Sequence, residues 1–104
     1  MNPVMNNTKW DELRLAMYGL GNLSPSWSTK DLSGYICPYD KDWFYHFRNG
    51  GYDSIEWVHI RLDSPEQDRA VEMALRRVHV PGHRVEGGFR VYGYTQAAAT
   101  IDYI

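Results

Sequence analysis

A single cysteine, Cys37, excludes an internal disulfide and leaves too few thiols for a structural zinc site. No apolar run approaches the ~20 residues that span a bilayer. No amino-terminal stretch has the charged-then-apolar order of a signal peptide. Together these absences point to a reducing, cytoplasmic setting. Basic excess is missing too: 11 Lys and Arg face 13 Asp and Glu, for a net charge of −2. That balance argues against nucleic acid as the partner, since such proteins usually carry a strong positive excess. Repeats, low-complexity tracts and interdomain linkers do not occur. One domain over residues 1–104 is expected, with 1–7 frayed. Met5 could itself be the start, because structure signals begin only at Thr8.

What is present is apolar and aromatic material. Hydrophobic residues make up 43% of the chain and aromatics 14%, which suits a folded domain rather than a disordered one. A chain of this length buries roughly 60–70% of its unfolded surface, enough to fold without staples. The densest stretch is Trp43-Phe44-Tyr45-His46-Phe47-Arg48, followed by a Gly50-Gly51 break and Ile55 to Leu62. Two such runs flanking a glycine pair predict a β-hairpin, 43–48/55–62. Alternation then pairs Trp43 with Leu62, Tyr45 with Ile60 and Phe47 with Val58 on an apolar face. The other face carries Phe44 opposite Arg61, His46 opposite His59, and Arg48 opposite Trp57.

The flanking segments read as follows. Trp10, Leu13, Met17 and Leu20 recur at helical spacing behind an N-cap at Thr8, predicting a helix over about 9–20 that Gly19 and Gly21 end. Residues 27–32 suit a short edge strand guarded by Lys30, and 35–37 a second short strand. Ser64-Pro65-Glu66-Gln67 joins an N-cap serine, a first-turn proline and a capping-box glutamine. The helix that follows, about 65–79, turns Val71, Leu75 and Val78 inward with Ala70, Ala74 and Met73. Pro81 and Gly82 break it. A last strand is expected over 89–94. In the tail, 96–99 could form a helical turn and 101–104 an edge strand. The expected class is α+β: an antiparallel sheet of about four to five strands built on the central hairpin, with two amphipathic helices on one face.

Reactive groups are present without the company they need. His79 and His83 have metal-ligand spacing, but Pro81 breaks the helix that would align them and no third ligand lies nearby. His46 and His59 lack a nucleophile and an orienting partner. Cys37 has no adjacent base. The glycine pairs sit in turns rather than between a strand and a helix, where a phosphate loop would be. No catalytic residue, metal or cofactor is therefore assigned. Binding is the better-supported activity. Phe44, Arg48, Trp57 and Arg61 are types enriched in interface hot spots, with His46 and His59 between them. Arg and aromatics also suit single-stranded nucleic acid, as an alternative reading of the same face. A second surface is an acidic rim, where the expected hairpin brings Asp40 and Asp42 to the same end of the sheet as Asp63, Glu66 and Asp68.

The motifs Asn6-Asn7-Thr8-Lys9-Trp10, Trp43-Phe44-Tyr45-His46-Phe47, Gly50-Gly51-Tyr52, Ile55-Glu56-Trp57 and His79-Val80-Pro81-Gly82 carry a resemblance over nearly the whole chain. So does Trp27 with Thr29-Lys30-Asp31. The chain resembles a family of small bacterial single-domain proteins classed as a domain of unknown function. By analogy it is similar in kind to immunity proteins, which neutralise a cognate toxin by binding it. The resemblance implies a non-enzymatic cytoplasmic protein that forms a heterodimer with its toxin and occludes the toxin's active site. An ADP-ribosyltransferase or nuclease effector, delivered by contact-dependent or type VI secretion, is the kind of toxin implied. It implies no catalytic residues and no cofactor.

Overall fold

The computed structural model describes residues 1–96 and 100–104, and is α+β. Chain order is β1 (Asn2–Pro3), α1 (Asn7–Tyr18), a 3-10 turn (Gly21–Leu23), β2 (Ser26–Asp31), β3 (Ile55–Arg61), α2 (Pro65–Val78), β4 (Gly82–Val85), β5 (Gly88–Tyr92) and β6 (Tyr94–Thr95). The main sheet runs β2-β3-β5-β4, antiparallel throughout, and β1 pairs with β6 in a separate two-stranded ribbon.

Both helices begin as local chemistry dictates. Ser64 caps α2 by accepting from Gln67 N at 3.1 Å, while Gln67 Oε1 accepts from Asp63 N at 2.7 Å. α1 starts two residues earlier than expected. Asn6, not Thr8, is its cap, accepting from Lys9 N at 2.8 Å. Trp10, Leu13 and Met17 of α1 and Val71, Leu75 and Val78 of α2 are buried against Val58, Ile60, Phe89 and Val91 of the sheet. Met73, expected to turn inward, is exposed.

The expected hairpin 43–48/55–62 is corrected. β3 forms as predicted, but its neighbours are β2 and β5: Trp57 lies between Lys30 and Tyr92, His59 between Ser28 and Arg90, and Arg61 between Ser26 and Gly88. Residues 43–50 form consecutive turns. The physical reason is spacing. Trp43 and Phe47, four residues apart, are 1% and 3% exposed, whereas Tyr45 between them is 63% exposed. A strand would have buried all three together. Both buried rings enter an aromatic cluster: Trp43–Phe47 centroids are 4.7 Å apart, Trp27–Phe47 5.1 Å, and Trp10–Phe47 5.9 Å. The indole N–H groups are satisfied, Trp43 Nε1 donating to Pro25 O at 2.7 Å and Trp27 Nε1 to Asp42 O at 3.2 Å.

A buried arginine pins this segment to α1. Arg14 donates from Nη1 to Phe44 O at 2.8 Å and from Nε to Asp11 at 3.2 Å, while Tyr52 OH donates to Asp11 as well. Burial and the bond to Asp11 push the Tyr52 hydroxyl up to about 12.

Two further segments depart from expectation, while the edge strand expected over 101–104 keeps one antiparallel bridge. Residues 2–4 are ordered through pairing with Tyr94–Thr95 and a bond from Val4 N to Gly93 O, not frayed. β4, where the sequence predicts no strand, pairs with β5 through Gly82–Val91 to Val85–Gly88. Residues 102–104 bond to Val80 and Gly82, and Tyr103 bridges to Pro81. The helical turn expected over 96–99 falls largely outside the described residues. At Gly88 a Cβ would lie 1.8 Å from Ile60 O, so the strands there tolerate no side chain.

The turn packing makes a position-specific prediction. Phe47→Ala should destabilise by about 3–5 kcal/mol as a large-to-small core change, whereas Tyr45→Ala should stay within about 0.5 kcal/mol. Urea denaturation of the two variants reads the difference. Equal losses would restore the strand alternation.

Candidate binding surface

With 43–48 removed from the sheet, the expected aromatic-basic face divides. Phe44 and Arg48 lie beside α1: Phe44 packs on Tyr18 at 5.0 Å, and the guanidiniums of Arg14 and Arg48 sit 5.1 and 5.5 Å from its ring centroid. Trp57, His59 and Arg61 remain together on the sheet face away from the helices, because they alternate with the buried Val58 and Ile60. Register adds Lys30 from β2, Arg90 and Tyr92 from β5, and His83 from β4 opposite Arg90. Arg90 and His83 were missed because neither β5's partner nor β4 itself has a local signal.

This face is cationic and aromatic. Arg90 lies over Trp57 at 4.1 Å from the ring centroid and Arg61 over Tyr39 at 3.9 Å. Tyr39 also meets His59 edge-on at 6.0 Å. Burial disfavours the charged form of His59, and Arg90 and Arg61 add repulsion, so its imidazole sits below the ordinary value. The main sheet's strands contain two carboxylates. Asp31 accepts from the Ser33 and Tyr35 amides, and Glu56 pairs with Lys30 at 3.7 Å.

The second surface is the connection from β2 to the aromatic turns. It turns back and runs along the outer edge of β2, with bridges Lys30–Ile36 and Trp27–Asp40. The strand expected at 35–37 is thus an irregular edge partner. Along it Leu32, Tyr35, Ile36 and Tyr39 are exposed, and Tyr45 joins them just beyond. Asp40, Asp42 and His46 converge there. Asp40 Oδ2 lies 2.8 Å from His46 Nδ1, and Asp42 Oδ2 lies 3.7 Å from His46 Nε2. The amide of Tyr45, donating to Asp42 at 2.9 Å, holds that carboxyl below the usual carboxylate range, and His46 contributes. The bond to Asp40, then the charges of Asp40 and Asp42, raise His46 above its ordinary value.

Sequence alternation had put His46 opposite His59; it stands instead with two aspartates. The expected acidic rim is also rearranged. Asp63 and Glu66 belong to the α2 entrance, and Asp68 is held by Arg84 at 2.8 Å. The 23–25 segment lies between the two groups, bonded to Gln67 on one side and Trp43 on the other. Cys37 Sγ accepts from Thr29 N at 3.3 Å, within the edge pairing. His79 stacks on Tyr103 at 4.7 Å and His83 lies 3.4 Å from Tyr92 OH. Among the described residues no group of three or more His, Cys, Asp or Glu could hold a metal ion, and no helix is long and apolar enough to cross a membrane.

The fold defines a two-layer α+β domain with helices on one sheet face and cations and aromatics on the other. The chain belongs to the family of unknown function DUF6678, whose model matches residues 1–98. No curated protein and no solved structure matches it.

The two histidines make opposite predictions about pH. His46 is raised in the fold, so its stabilisation is fully present below the unfolded value of 6.5 and is lost as pH rises through its folded value. His59 is lowered, so below 6.5 the unfolded chain takes the proton more readily and stability falls with pH. An NMR titration should place His46 above 6.5 and His59 below it, and Asp40→Asn should bring His46 down while leaving His59 in place. A single shared transition for both rings would contradict the two environments.

Proposed function

We propose that this protein is an immunity protein, acting in the cytoplasm by binding a cognate bacterial toxin and occluding its active site. The carrying observation is the 32–46 connection. It presents exposed Leu32, Tyr35, Ile36, Tyr39 and Tyr45 around the Asp40–Asp42–His46 cluster. Exposed aromatic side chains beside charged ones are residue types that interfaces use as anchors. The exposed rings project outward from a sheet edge, where a partner protein can cover them.

The chemistry of the cluster suits one class of toxin. A nuclease or ADP-ribosyltransferase needs a cationic cleft for substrate phosphates, and Asp40 and Asp42 can occupy such a cleft in their place. The backbone amides that hold the two carboxylates in place reduce the ordering cost of binding. Asp42 accepts from Tyr45 N and Asp40 from Asp42 N, so both acids are pre-oriented by their own turn. Protonated His46 partly neutralises them, so binding to a cationic cleft should strengthen as pH rises past the His46 transition.

The experiment is co-expression with the product of the adjacent open reading frame. The expected result is rescue from that product's toxicity and a co-purifying heterodimer. Replacing Asp40 and Asp42 with Lys should weaken the complex by several kcal/mol, and Tyr39→Ala or Tyr45→Ala by about 2 kcal/mol if either is an anchor. Asp63→Lys should leave affinity unchanged. Rescue that survives the double lysine change would remove the cluster from the interface.

A further inference from the structure

We propose that the open face of the sheet is a separate binding site for a single strand of nucleic acid, centred on Arg61, Arg90, Trp57 and His59. This site does not rest on the toxin-binding reading, and it shares only Tyr39 with the 32–46 connection.

The face carries uncompensated charge. Arg61 stands on β3's exposed face and Arg90 opposite His59 in the register, and neither forms an ion pair among the described residues. Between them stands His59, whose neutral form both arginines favour. Glu56, the carboxylate nearest in the strand, is engaged by Lys30. Like charges gathered without a counter-charge raise the free energy of the empty face, and an anion relieves it.

The way the cations are held favours a nucleic-acid strand over an acidic protein segment. The edge of a guanidinium recognises carboxylate and phosphate alike, through paired N–H donors, whereas its plane takes a ring, which a nucleic-acid base supplies and a carboxylate does not. Here each guanidinium lies over a ring, Arg90 on Trp57 and Arg61 on Tyr39. Arg90 Nε is buried with no hydrogen-bond partner among the described residues, so stacking rather than hydrogen bonding places this side chain. Such a guanidinium offers its outer plane, on which a base can stack, while its terminal N–H groups reach phosphate. Tyr92, beside Trp57 in the register, adds a further aromatic ring. The chain's net charge of −2 limits the footprint to this face, so binding should be modest in strength and confined to a few phosphates.

The test is fluorescence anisotropy of labelled 12-nucleotide dT and rU strands with the full chain at low salt. Binding is expected, falling with salt at a log–log slope of about −1.4, as two phosphates neutralised by Arg61 and Arg90 would give. Arg61→Ala and Arg90→Ala should each weaken it roughly tenfold, as should Arg61→Lys and Arg90→Lys, which keep the charge but lose the plane. Thermal melting verifies that these variants stay folded. Strand addition should also raise the His59 transition seen by NMR, a readout a merely structural arginine would not move. The Asp40→Lys, Asp42→Lys double variant should not weaken the strand. The proposal is overturned by no binding at low salt, by lysine variants that bind as well as the parent, or by a poly-glutamate peptide that competes as effectively as dT. The last result would assign the face to an acidic protein segment.

Discussion

Phe47 is the contact on which the rest of this structure depends. Its ring lies within 6 Å of Trp10, Trp27, Trp43 and Tyr52, and so joins α1, β2 and the 43–52 segment in one cluster. On the inner face of the sheet, Trp27 of β2 packs against Trp43 and Phe47 of the aromatic turns. The aromatic turns close the side that the helices leave open. They can do so without a ladder of their own because the indole N–H groups find backbone carbonyls and Arg14 caps the Phe44 carbonyl.

Anchoring Trp43 and Phe47 inside has a consequence for the surface. The chain leaving β2 must return to the start of the cluster, and it does so along β2's free edge, which it thereby covers. The residues that make this return are exposed, and its end brings Asp40, Asp42 and His46 together. Among the described residues no helix packs on the opposite sheet face, and its side chains stack on one another: arginine on ring, ring on imidazole. Surface chemistry of two opposite signs thus follows from one packing choice.

Much of the candidate surface was legible in particular residues and much was not. Trp57, His59 and Arg61 could be placed on one exposed face because they alternate with Val58 and Ile60, and that period is local. Arg90 and His83 could not be joined to them, since a register between β3, β5 and β4 is set by contacts across the sheet. Phe44, His46 and Arg48 were misplaced because their run satisfies two periods. Aromatic residues at every position read as a strand by composition, while Trp43 and Phe47 also stand at a helical interval. Nothing within six residues decides between them.

The sequence by itself determined the α+β class, α2 with its capping box, the inward stripe of α1, and the strand character of 55–61. Each of these rests on signals that act within one turn or one strand: a capping side chain, a proline, a hydrophobic period. Tertiary structure alone decided which strands flank β3, that 82–85 is a strand, that residues 2–4 are held down, and that 43–50 turns rather than extends. Those outcomes depend on burial against residues distant in the chain. The free energy of filling one aromatic core outweighs the weak local preference of any six-residue stretch.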